Sequence, residues 1–319
     1  MDTRPLGHSG LTTSVVGLGC NNLGRPGTRT ETLDGTVDVI RAALDAGVDF
    51  FDTADIYGAV YGLSEGLLGL ALERLGTPSV VATKWGHTST ANPVLDAMGP
   101  KGSRAYIRAA AAGSRQRLKV ERIDLFQQHM PDPSVDIAET IGALEELVTE
   151  GTIAAYGHSN FSGEQITAAA VTARAMGAHG FVSAQNEYNL LARSVEEEVL
   201  PAVEQAGVGF LPYFPLANGL LTGAFHRDDI PGGTRVSARP KIVEAAPWEA
   251  LAAYEAFAAA RGLSMLEATF GWFLARPVVS SVIAGATRPD QIRANAAAGM
   301  TWRPSPAEMA EIDALFPPS

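Results

Sequence analysis

Eight short runs rich in β-branched and aromatic residues recur along this chain, with helical segments between them. The runs are Ser14–Cys20, Val48–Thr53, Ser79–Lys84, Ile123–His129, Ile153–Asn160, Phe181–Tyr188, Val208–Pro215 and Ser280–Ala286, and each reads as a strand. Between them the spacing turns helical. Val37, Ile40 and Leu44 fall at i, i+3 and i+7 before a stop at Gly47, and Ile141, Leu144 and Val148 repeat the pattern before Gly151. Eight such alternations imply parallel strands joined by crossover helices, and the predicted fold is one (β/α)8 TIM barrel spanning residues 1–319. An open doubly wound sheet is the alternative. It usually carries G-x-G-x-x-G after its first strand, whereas GLGCNNLG has a different spacing. The preceding RPLGHSGLTTS predicts a hairpin around His8–Gly10 that plugs the barrel floor. The one irregular interval, residues 217–262, includes the Gly/Pro/Arg-rich HRDDIPGGTRVSARPK, and loops of that length are usually functional or mobile.

In a closed barrel the carboxyl ends of the strands converge on one face, where active sites sit. That gives a place to an otherwise odd stretch, DFFDTADIYG, in which an apolar strand ends on an acid and is followed by a phenol. Asp52 ends the second strand, Lys84 the third and His129 the fourth, while Tyr57 can fold back over the same mouth. A phenol is a poor acid at neutral pH. A neighbouring ammonium favours its ionised form, and a carboxylate keeps that ammonium charged and placed. An imidazole at His129 would orient a carbonyl oxygen or share the proton transfer. The four together suit protonation of an alkoxide as it forms, and general acid catalysis of that kind is worth ~10²–10⁴ in rate.

Composition narrows the partners. A net charge of −11 argues against nucleic acid or an anionic membrane as a general partner, though not against one local phosphate pocket. A single cysteine, Cys20, excludes an internal disulfide and a zinc site of several cysteines. The start MDTRPLGHSG has no apolar signal core, and no run of 18 apolar residues occurs, so the expectation is a soluble cytoplasmic protein.

Six stretches in order, DTADIYG, ATKWG, SNFS, QNEYNLL, LLTG and VIAGATRPDQIRAN, resemble the aldo-keto reductase family over nearly the whole chain. The resemblance implies a (β/α)8 barrel that binds NADPH (NADP+) without a Rossmann domain, and reversible hydride transfer between nicotinamide and an aldehyde or ketone. Asp52, Tyr57, Lys84 and His129 match the catalytic tetrad, with Tyr57 as proton donor. Ser159, Asn160 and Gln185 match positions that hold the nicotinamide carboxamide, and Tyr213 matches the aromatic that stacks on its ring. Gly285 would allow close backbone approach and Thr287 would cap the following helix. Arg288, Gln291 and Asn295 match the segment at the adenosine end, with Arg288 on the 2′-phosphate, favouring NADPH over NADH. Two departures stand out. Tyr213-Phe214-Pro215-Leu216 lacks the serine hydroxyl of the usual Tyr-Ser-Pro-Leu motif, and Gly285 replaces the basic residue of mammalian members.

Each residue also has a plainer role. Asp52 suits a helix cap, Lys84 a solvated strand end, His129 a backbone-bonded ring and Tyr57 or Tyr213 packing. Arg288 reads equally as a surface charge, and Ser162-x-x-Gln165 is a capping box. His87, His158 and His226 read as structural or exposed. Trp85, Tyr61, Phe225 and Trp302 are expected to wall the substrate pocket, with a small carbonyl or alcohol as substrate and the oligomeric state open. Three rival functions remain: a cofactor-binding regulatory subunit with little turnover, a metal-dependent barrel hydrolase, and a Schiff-base aldolase using Lys84. The hydrolase would want paired histidines on the first strand, and GLGCNN provides none.

Overall fold

A computed structural model describes residues 1–89, 92–230, 232, 236–237 and 239–318. Parts of HRDDIPGGTRVSARPK, namely Pro231, Gly233, Thr234, Arg235 and Ala238, lie outside the described residues. Strands β1 (Thr3–Pro5) and β2 (Thr12–Ser14) form an antiparallel hairpin. Eight more follow: β3 (Val16–Gly19), β4 (Phe50–Asp52), β5 (Val80–Trp85), β6 (Ile123–Gln128), β7 (Ile153–Ser159), β8 (Ser183–Gln185), β9 (Gly209–Phe210) and β10 (Val282–Gly285). They pair in parallel in the order β10-β3-β4-β5-β6-β7-β8-β9. The sheet curls so that its two edges meet through the parallel bridge Phe210↔Val279. Phe210 N donates to Val278 O and Ser280 N donates to Phe210 O, each at 2.9 Å. The expected (β/α)8 architecture is present.

Side-chain alternation divides the core into two layers. Phe50, Ala82, Leu125, Ala155, Val182, Leu211 and Ile283 point inward and meet inside the barrel. Their neighbours Phe51, Val81 and Phe126 point outward under the helices. Full burial of each large side chain contributes about 1.5–3 kcal/mol. The hairpin closes the floor, as predicted, by inserting the buried Leu6 into the inner cluster. Gly7 makes that approach possible: its φ is +54°, and a Cβ there would lie 2.3 Å from Val182 O.

Helices Leu33–Asp45 and Ile137–Thr149 end where the sequence places their stops, with Gly47 at φ 80° and Gly151 at φ 71°. The capping box Ser162/Gln165 opens helix Gly163–Met176. β8 and β9 are shorter than the runs that announce them. The run around β9 contains Pro212 and Pro215, which offer no N–H to a ladder, and Phe214 at φ 52° turns the chain away. Among the described residues, no helix is long and apolar enough to cross a membrane.

Candidate active site

Asp52 ends β4 and Lys84 is the last residue but one of the adjacent β5, and both point inward, continuing the alternation of Phe50 and Ala82. Lys84 is fully buried and its Nζ donates to Asp52 Oδ2 at 2.6 Å and to Thr53 O at 2.9 Å. The other carboxylate oxygen, Oδ1, accepts from Gln127 Nε2 at 3.1 Å and Gln185 Nε2 at 3.0 Å. Burial alone would lower the Lys84 pKa, but Asp52 and then Tyr57 outweigh it and hold the ammonium above its ordinary value.

Tyr57 lies on the turn after β4, fixed by Tyr57 N donating to Ala54 O at 3.1 Å and Ser64 N donating to Tyr57 O at 3.0 Å. The Lys84 ammonium nitrogen lies 5.1 Å from its ring centroid, and Lys84 acts on the ionisation of the phenol. The expected downward pull of Lys84 is present, yet burial outweighs it and the phenol sits above its ordinary pKa. Tyr57 is therefore held as a protonated donor, and its acidity is not lowered as the residue pattern suggested.

His129 follows β6, with its N donating to Trp85 O at 2.8 Å and its O accepting from Asn160 Nδ2 at 3.0 Å. Burial, assisted by the Lys84 and His87 charges, pushes its pKa well below the usual imidazole value. Its Nδ1 is buried with no hydrogen-bond partner among the described residues. A proton there would be an unpaired buried donor, so the neutral ring carries its proton on Nε2. The His129 ring packs edge-on to Tyr57 at 5.8 Å and to His87 at 4.6 Å.

These groups open onto one cavity of about 630 Å³ at the carboxyl ends of the strands. Ser159, Asn160, Gln185 and Tyr213 line its inner part, and the strap Phe214, Pro215 and Leu216 with Phe225 forms one flank. Gly285, Thr287, Arg288 and Gln291 line the outer end. Much of the inner amide set is engaged within the protein. Asn160, at φ 62°, donates through Nδ2 to His129 O and Ser159 Oγ and accepts from the Tyr213 hydroxyl at 2.9 Å. Ser159 Oγ donates to Gln185 O at 2.8 Å. Burial pushes the Tyr213 phenol up to about 12, so it stays protonated in that bond.

Several residues expected at the site lie elsewhere. Trp85 follows Lys84 on β5, so alternation turns it outward, where it stacks on Phe126 at 4.3 Å in the core. The Tyr61 hydroxyl donates to Asp55 Oδ2 at 2.7 Å beneath the Tyr57 turn, away from the cavity. Trp302 packs over Gly271 and against Phe257 on the helix layer. Asn295 is buried in helix Pro289–Thr301 and does not line the cavity. The cap of that helix is Arg288, not Thr287, because Pro289 takes the first helical position.

Conversely, His87, read from sequence as structural or exposed, lines the cavity, and Gln127 together with Asn21, Asn22, Arg25 and Thr28 after β3 belongs to the site although the residue pattern passed these over. For Asn21 and Asn22 the string GLGCNNLG was the signal, a polar, glycine-containing turn at a strand's carboxyl end. Among the described residues, no group of three or more His, Cys, Asp or Glu could hold a metal ion.

Behind Tyr57, Asp55 is almost fully buried and its Oδ1 has no hydrogen-bond partner among the described residues. Burial lifts its pKa to about 7, against the hydrogen bond from Tyr61 and the Arg117 and Lys101 charges, with Glu65 adding to the rise. The unfolded value is about 3.9, so the folded state holds this proton more tightly. Asp55 therefore contributes a stability loss that grows as pH rises from about 4 to 7 and is constant above. Urea midpoints across that range should fall for the wild type relative to Asp55→Asn. A constant difference between the two would contradict the assignment.

The family model described as Aldo/keto reductase family matches residues 15–316. "Probable aldo-keto reductase 1" of Glycine max is 37% identical over 241 residues, covering 74% of this chain and 66% of that relative's length. "Probable voltage-gated potassium channel subunit beta" of Oryza sativa subsp. japonica is 33% identical, covering 92% of this chain and 90% of the relative. "Uncharacterized oxidoreductase YrpG" of Bacillus subtilis (strain 168) is 33% identical, covering 92% and 89%. With its parallel eight-stranded barrel and a match from end to end of it, this chain belongs to the aldo/keto reductase family.

Proposed function

We propose that this protein is an oxidoreductase that reduces an aldehyde or ketone with NADPH, using Tyr57 as general acid, and that runs in reverse on the alcohol. The observation that carries the reading is the buried Lys84 ammonium, paired with Asp52 and 5.1 Å from the centre of the Tyr57 ring beneath the cavity. The residues present fit a nicotinamide dinucleotide. The cavity volume lies within the range of small-molecule and cofactor sites. Its wall is glycine where space is tightest, since a Cβ on Gly285 would come within 2.9 Å of Asn22 Nδ2. Gln185 Nε2 donates to Asp52 Oδ1 and, at 3.5 Å, to Gln127 Oε1, which leaves its amide oxygen to accept from a carboxamide, and Ser159 and Asn160 frame the same pocket. Tyr213, pinned through Asn160, offers a ring face to a flat heterocycle. Arg288 lines the part of the cavity that we assign to the adenosine end, which supports NADPH as the preferred form.

When bound, the reduced dinucleotide supplies the hydride. The protein's residues manage the proton. Tyr57 Oη holds it at neutral pH and releases it to the carbonyl oxygen as negative charge develops there. Lys84 Nζ stabilises the resulting phenolate, and Asp52 keeps that nitrogen charged. His129, neutral and protonated on Nε2, donates a hydrogen bond that orients the carbonyl oxygen.

The relatives named as potassium channel β subunits favour a second reading, a cofactor-binding subunit with little turnover. An absorbance screen at the reduced-nicotinamide band, with NADPH and NADH against aldehydes and ketones, separates the two. Turnover supports the enzyme. Tight binding of dinucleotide without consumption supports the subunit.

A further inference from the structure

Two arginines line the outer part of the cavity, Arg25 and Arg288, and they differ in what already holds them. Arg288 is engaged: its Nε and Nη2 both reach the Asp290 carboxylate at 3.1 Å. That carboxylate also accepts the backbone N–H groups of Asp290 and Gln291. Pro289 has no N–H, and Gln291 Oε1 takes the N–H groups of Thr287 at 2.9 Å and Arg288 at 3.2 Å. The start of helix Pro289–Thr301 is thus filled by internal acceptors, and a phosphate arriving there meets a carboxylate.

Arg25 stands differently. It sits on the turn after β3, half-buried, and among the described residues no carboxylate pairs with it. Its side-chain hydrogen bond runs from Nη1 to Asn22 Oδ1 at 3.3 Å, beyond the usual range for such bonds. Asn22 in turn adjoins Gly285 at the end of β10. A weakly engaged guanidinium therefore stands in the cavity wall, tied through Asn22 to the end of β10. A fork of N–H donors there suits two oxygens of a phosphate.

We infer that Arg25 holds the pyrophosphate of the bound dinucleotide, while Arg288, neutralised by Asp290, adds only a small preference for the 2′-phosphate. This inference rests on the proposed dinucleotide-dependent function. It assigns most of the charge-dependent affinity to a group that NADPH and NADH share.

Calorimetric titration without carbonyl substrate tests it, using NADPH and NADH on wild type, Arg25→Gln, Arg25→Lys and Arg288→Gln. Arg25→Gln should raise both dissociation constants by about tenfold, the loss of one charge-assisted hydrogen bond. Arg25→Lys should recover part of that loss. Arg288→Gln should weaken NADPH by about threefold or less, as for an exposed, internally paired charge, and leave NADH unchanged. Unchanged affinity in Arg25→Gln, a loss confined to NADPH, or a larger loss in Arg288→Gln would each overturn the inference alone. A wild type that binds neither dinucleotide would instead remove the functional reading beneath it.

Discussion

Replacing Tyr57 with phenylalanine should lower kcat by about 10²–10⁴ and leave dinucleotide affinity within about twofold. The substitution deletes one oxygen and keeps the ring, so the edge-on contact with His129 at 5.8 Å survives. What is lost is the proton that burial holds on the phenol oxygen near the Lys84 ammonium. Lys84 cannot substitute for it, since Asp52 holds its nitrogen charged and the Thr53 carbonyl takes another of its donors. Steady-state kinetics with a fluorescence titration of NADPH separates the two effects. Comparable losses in turnover and binding would mean that the phenol serves the cofactor rather than the substrate.

The second large effect concerns stability. Lys84→Met should cost about 3–5 kcal/mol, because it strands the Asp52 carboxylate in the barrel without its counter-ion. Gln127 and Gln185 still donate to Oδ1, but Oδ2 loses its partner at 2.6 Å. The double variant Lys84→Met/Asp52→Asn should recover most of that loss, since an asparagine oxygen can keep both glutamine bonds without a buried charge. Turnover should stay absent in both, as Tyr57 then has no cation beside it. Urea denaturation gives the comparison. A single variant destabilised by less than about 1 kcal/mol would place the pair in a far wetter setting than the one described.

What could be read from residues alone was whatever a period governs. Alternation of apolar residues marked the strands, and their carboxyl ends brought Asp52, Lys84 and His129 to one face, as the cavity lining and the Asp52–Lys84 pair show. The same period, applied one residue further, would have turned Trp85 outward to Phe126. Tyr61 looked like a pocket wall because it follows Tyr57 closely, yet Asp55 beneath the turn takes its hydroxyl. The net pKa of Tyr57 was not legible, since it depends on how much protein surrounds the pair, and burial proved the larger influence. Arg25 and Asn22 escaped notice because a turn after a strand has no period, and only the closed barrel carries them to Gly285. The cap at Arg288 was readable after all, from the proline that follows it.

The central claim is that a proton kept on Tyr57 by burial, beside the Lys84 ammonium, meets a carbonyl reduced in the same cavity. Mixing wild-type protein with NADPH and single carbonyl compounds, and following the reduced-nicotinamide absorbance, tests it most directly. The account predicts that at least one aldehyde or ketone consumes NADPH mole for mole with alcohol formed, and that Tyr57→Phe stops this consumption. Steady NADPH consumption in Tyr57→Phe at the wild-type rate would contradict it.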